Sequence, residues 1–224
     1  MSAHWIVIFI RREGHITRVD MRLPLATSRP PSLHNVYAIS DIHAEYAENM
    51  QFCEDLHDSH YRNDVLIVAG DVADSLSVFE AAMSRLVSKF GVVFFVPGAR
   101  GIPVTNSTRA HSHHHRTTGP TGNHEMWIRR DGSEGAHSLE KWKRLEALCT
   151  RLGVVTTPQR VQLQHQALRV CPLLSMHHAS FDTEPDITSL RLPKVRVVMN
   201  DFRACRFPPP LDLGSEILAE HIDE

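Results

Sequence analysis

From Val36 onward, short apolar runs alternate with amphipathic stretches. Val36-Tyr37-Ala38-Ile39, Val65-Leu66-Ile67-Val68-Ala69 and Val92-Val93-Phe94-Phe95-Val96 are unbroken apolar runs of strand length. Such runs mark strands buried on both faces. A fourth run, Leu168 to Leu174, predicts a strand hairpinned to Val161-Gln162-Leu163 through the polar turn near His165. Between the strands, Leu76, Phe79, Met83, Leu86 and Phe90 keep the three-four spacing of one helix face. Asp74 or Ser75 can cap that helix, and Gly91 can end it. Leu139, Trp142, Leu145, Leu148 and Leu152 repeat the spacing, with Ser138 before and Gly153 after. The stretch Ala44 to His60 reads as a less regular helix. Strands alternating with helices predict an α/β fold.

The pattern lapses in three places. Residues 1–34 hold an apolar burst, then Arg11-Arg12, then a Pro-rich link at Pro30-Pro31, and read as an N-terminal extension outside the core. Ala99 to Gly122 is rich in Gly, Pro, Ser, Thr, Arg and His and keeps no apolar period. It carries too little apolar surface to offset its ordering entropy, so residues 99–122 are expected to be a disordered insert. After Phe207-Pro208-Pro209-Pro210 the pattern loosens again, and residues 212–224 read as a tail. One domain is thus expected over residues 35–211.

Composition narrows the function without choosing it. Of 224 residues, 42% are apolar and 22% charged, and the formal charge is −2. That balance suits one globular domain and gives no support to wholesale binding of nucleic acid. Cys53, Cys149, Cys171 and Cys205 are widely spaced, with no Cys-x-x-Cys pair, so they read as reduced thiols rather than a zinc ribbon. Trp5 to Ile10 is far shorter than the roughly 20 residues a spanning helix needs. No basic stretch precedes it, so no membrane segment or signal peptide is expected and the compartment is read as cytoplasmic. The unusual count is 16 histidines, with His111, His113, His114 and His115 crowded together. That cluster could bind a metal, although such tracts in polar coil are more often simply solvated.

The chemistry lies at the strand ends. Asp41-Ile42-His43 follows the first strand and Gly70-Asp71 the second. Gly122-Asn123-His124-Glu125 follows the third once the insert is passed. Ligands gather at the carboxyl ends of strands in open α/β sheets. Asp, His and Asn delivered to one edge form an oxygen and imidazole set suited to Mn, Fe or Zn. An Asp after a strand is by itself commonly a helix cap, and a lone Asn-His is commonly a turn. The ordered combination is much more specific.

Asp-x-His, then Gly-Asp, then Gly-Asn-His-Glu resembles the calcineurin-like metallophosphoesterase superfamily over roughly Val36 to Leu211. The resemblance implies a sandwich of two mixed β-sheets flanked by helices. It also implies a phosphoester hydrolase with two divalent metals and a phosphorylated substrate. Asp41 and His43 would hold the first metal, Asp71 would bridge both, and Asn123 would hold the second. A metal-held hydroxide would attack phosphorus, with His124 beside the leaving group and Asp41 orienting its ring. In Ser175-Met176-His177-His178-Ala179-Ser180-Phe181-Asp182, the resemblance favours His178 as a further ligand, with His177 its rival.

The chain departs from that family twice. No Gly-His-x-His follows Asp182, so the fold is expected to be incomplete at the C-terminus. His221, in Glu220-His221-Ile222-Asp223, reads as a tail residue. A catalytically impaired module that binds phosphate or a partner is therefore the alternative to an enzyme, and a regulatory metal loop at the His cluster is a third reading. The second departure is the insert, since deleting the 24 residues Ala99 to Gly122 restores Phe-Phe-Val-Pro-Gly-Asn-His-Glu in frame. A retained intron-like segment produces this pattern; a genuine loop over the metal site is the alternative. Retention predicts transcript reads that join Gly98 directly to Asn123. Transcripts that all carry the 24 intervening codons would leave only the loop.

Overall fold

A computed structural model gives the structure of the chain, describing residues 17–19, 33–96, 124–164, 166–172 and 195–223. The first sheet has the order β1-β2-β3-β4, formed by Thr17–Val19, Val36–Ile39, Val65–Ala69 and Val92–Val96. The last three strands are parallel, with Val36 opposite Val65 and Val65 opposite Val92. β1 adds antiparallel to β2, so part of the expected extension joins the sheet.

The strands divide their side chains by the two-residue period. Leu66, Val68, Val93 and Phe95 face a core shared with helices α1 (Ala47–Asp55), α2 (Leu76–Lys89) and α3 (Ser138–Leu152). Val65 and Phe94 face the opposite way, into a second cluster with Val161 and Leu163. That second layer is the antiparallel hairpin of β5 (Gln159–Gln162) and β6 (Ala167–Val170). Helices on one face and a small sheet on the other make the α/β sandwich expected from the sequence.

Local signals set the element ends. The Ser75 hydroxyl accepts the Val78 N–H at 3.2 Å and caps α2. Gly153 closes α3 in the left-handed conformation, at φ 76°. The N-cap of α3 is His137, whose Nδ1 accepts from the Glu140 N–H. α1 is shorter than Ala44 to His60, because Tyr46 is extended and Lys89 Nζ binds the carbonyls of Glu54 and Leu56 at its C-terminal end. Among the described residues β6 stops at Val170, next to Cys171-Pro172, where proline cannot donate to a ladder.

Three short helices follow, α4 (Val195–Val198), α5 (Asp201–Ala204) and α6 (Glu216–Asp223). Part of the expected tail is therefore helical. Leu218 and Ala219 of α6 are buried against Phe207, Leu211 and Leu213. The segment is stitched to the start of α3: Ile128 N–H donates to Ala204 O at 2.8 Å, and Ser138 N–H donates to Arg206 O at 2.7 Å. All four cysteines are unpaired, as read from their spacing. Among the described residues, no helix is long and apolar enough to cross a membrane.

Phe79 of α2 stacks edge-on against Phe95 of β4, with ring centroids 4.9 Å apart and both side chains fully buried. Phe79→Ala opens a cavity at this helix–sheet contact and should cost about 3–5 kcal/mol in urea unfolding. A loss near zero would mean the contact does not carry the core.

Candidate metal centre

β2 and β3 end side by side, and their pairing continues past the strands. Asp41 N–H donates to Gly70 O at 3.2 Å, His43 N–H to Asp71 O at 2.9 Å, and Ala44 N–H to Val72 O at 2.7 Å. This zipper forces an unusual backbone. Asp41, His43 and Asp71 all lie in the left-handed region, at φ 54°, 48° and 54°. Non-glycine residues pay on the order of 1–3 kcal/mol each for such conformations, which concentrate at functional sites.

The strained turns turn their side chains to one point. Ligand atoms of Asp41, His43 and Asp71 lie within 4.8 Å of one another. A second trio, His43, Glu45 and His124, meets the same limit and shares His43 with the first. His124 lies in a 3-10 turn, His124–Met126, that is buried throughout. Its ring meets that of His43 edge-on, with centroids 4.6 Å apart, and its backbone N–H points to Asp71 Oδ1 at 3.4 Å. Four of the residues expected from the sequence are therefore brought together. Asn123, His177 and His178 lie outside the described residues, as do the insert and the His cluster.

Glu45 carried no role in the sequence. Its Oε1 stands 3.2 Å from His43 Nδ1 and 3.5 Å from His124 Nδ1. The signal is present as the continued alternation Asp41-x-His43-x-Glu45, but Glu45 falls within Ala44 to His60, which reads as a helix.

Electrostatics reflect the crowding. His43 is raised from its usual value chiefly by its hydrogen bond to Glu45; burial opposes this, and Asp71 and Asp41 add to the rise. Burial pushes Glu45 upward, but His124 and His43 together outweigh it and hold the carboxyl at about 2. Asp71 is raised, first by burial and further by Asp41, against the pull of His124. The donors suit a divalent cation, since two carboxylates and an imidazole converge where bound positive charge would relieve the crowding. Neither ring nitrogen of buried His124 has a hydrogen-bond partner among the described residues, which fits a site shaped for groups beyond the chain itself.

Two buried side chains, Glu125 and Lys141, hold the loops in place. Glu125 Oε1 accepts the Val72 N–H at 2.6 Å, tying the His124 turn to the loop after β3. Lys141 of α3 donates to the carbonyls of Asp74 and Trp127 and pairs with Glu134 at 2.9 Å. Burial, assisted by Asp71, pushes Glu125 up to about 7 from 4.5. With a folded value above the unfolded one, the protonated form is favoured in the native state. The metal-free protein should therefore lose stability as pH rises from 4.5 to about 7. Glu125→Gln keeps the acceptor without the titration, so its denaturant midpoint should be flatter across that window. An unchanged slope would place the titration elsewhere.

A family model described as calcineurin-like phosphoesterase matches residues 34–196. The chain is 28% identical over 121 residues to the acyl-carrier-protein phosphodiesterase PptH of Mycobacterium tuberculosis. That match covers 54% of this chain but 30% of the relative, so the chain spans about a third of the length of the curated relative it matches. The crystal structure of phosphopantetheinyl hydrolase (PptH) from the same organism superposes with a TM-score of 0.58 at 20% identity, over 86% of this chain and 61% of that one.

Proposed function

Because the chain belongs to the calcineurin-like phosphoesterase family, we propose that it is a metal-dependent phosphoester hydrolase with a two-ion site. The observation that carries this reading is the convergence of Asp41, His43 and Asp71 on one point through three left-handed backbones. Asp41 and His43 would hold one divalent ion (Mn, Fe or Zn), Asp71 would serve both, and Asn123 and His178 would complete the second position. Bound there, such ions supply positive charge for the phosphoryl oxygens and bring the pKa of a water nucleophile toward neutrality.

The chain's own residues do the rest. His124, buried and adjacent to His43, presents a ring nitrogen to the leaving oxygen as proton donor or charge stabiliser. Glu45 Oε1, 3.2 Å from His43 Nδ1, keeps positive charge on His43 favourable. Tyr46, 58% exposed with its ring 6.4 Å from the His43 ring, gives the site an aromatic rim for the substrate.

The relative's name refers to hydrolysis of a phosphodiester, so a diester is the first substrate class to test. With manganese, the purified chain should hydrolyse bis-p-nitrophenyl phosphate, and chelation should abolish the rate. Asp71→Asn should lower it at least about 100-fold, since it removes the carboxylate shared between ions. A rate insensitive to this substitution would sink the assignment. The other reading is a catalytically impaired module that binds phosphate or a partner. Metal binding at Asp71 without turnover of mono- or diesters would establish it.

A further inference from the structure

Among the described residues, the C-terminal segment reaches the candidate site through the ring of Trp127. His124 and Trp127 are three residues apart across the 3-10 turn, the spacing that eclipses side chains in that geometry. Their rings stack, with centroids 3.9 Å apart and planes 28° from parallel. An indole has one polar hydrogen, and Trp127 Nε1–H donates it to Asp201 Oδ1 at 3.0 Å. Asp201 is only 2% exposed and opens α5, 74 residues further along the chain. The adjoining backbone bond from Ile128 N–H to Ala204 O fixes α5 against the same turn.

We propose that Asp201 is a positioning residue for the candidate site: by holding the Trp127 indole, it sets the plane on which the His124 imidazole rests. Two torsions orient the indole, and stacking alone leaves it free to rock about its long axis. A buried acceptor at the Nε1 edge removes that freedom. His124 has no hydrogen-bond partner among the described residues to fix its ring instead, although Glu45 stands 3.5 Å away. The stacked indole is therefore the firm constraint on the imidazole. A docked C-terminal segment, rather than the local motif, completes its alignment.

The inference rests on the role proposed for His124, and the test separates the two. In the full-length, metal-free chain, the His124 ring and Trp127 indole signals are followed by NMR, which needs no turnover. Asp201→Ala should move both sets of signals. Asp201→Asn, which keeps an oxygen acceptor, should restore them. Trp127→Phe keeps a stacked ring without the N–H and should displace the His124 signals as Asp201→Ala does, which covers the case in which Asp201→Ala fails to fold. With manganese and a diester substrate, Asp201→Ala should lower kcat about 10- to 100-fold with KM little changed, and Asp201→Asn should recover most of it. His124 signals unmoved by both Asp201→Ala and Trp127→Phe would overturn the proposal and leave Asp201 as a docking contact only. If the signals move as expected but no variant or parent chain turns over, the positioning stands and the hydrolase reading fails.

Discussion

The site depends on the hydrogen bond between the buried Glu125 carboxylate and the Val72 N–H. It joins the turn that carries His124 to the loop that carries Asp71, across 53 residues of sequence. At that separation local connectivity does not fix the distance. A buried carboxyl acceptor at 2.6 Å can, since leaving the Val72 N–H buried without a partner would cost roughly 1–3 kcal/mol. Lys141 acts in parallel, gathering the carbonyls of Asp74 and Trp127 under α3. The same two loops are thus held by a buried carboxyl on one side and a buried lysine on the other.

With the loops fixed, the unfavourable features of the site become sustainable. Three non-glycine residues in the left-handed region would relax in an isolated loop. Here the backbone bonds from Asp41, His43 and Ala44 to the β3 loop hold them. Like charges at Asp41 and Asp71 raise the cost further, and His43 offsets part of it. A bound cation would relieve the repulsion between the carboxylates, while the backbone bonds sustain the strained turns with or without it.

Most of the scaffold was legible in the sequence because apolar periodicity follows burial. The strands at Val65 and Val92 and the faces of α2 and α3 fall where that periodicity places them. Asp41, His43, Asp71 and His124 were legible because strand ends in parallel sheets share an edge. What escaped reading depends on contacts distant in sequence. Lys141 looks like a surface lysine until Glu134 and two carbonyls surround it. Glu45 looks like a helix start until both histidines are placed beside it. Trp127 and Asp201 carry no motif at all, and the helix Glu216–Asp223 follows a proline-rich stretch that suggested a tail.

Family membership and activity rest on different residues. The match over residues 34–196 secures the first, whereas the proposed two-ion site also calls on Asn123 and a histidine from the Ser175–Asp182 stretch. The most direct test is anomalous diffraction from crystals of the chain grown with manganese. The expected result is a manganese peak within about 2.0–2.3 Å of ligand atoms from His43 and Asp71, the range usual for oxygen and imidazole donors. A second peak should share Asp71. A map with no peak at these residues, or with manganese bound only at His111 to His115, would contradict a metal centre built on the strand ends.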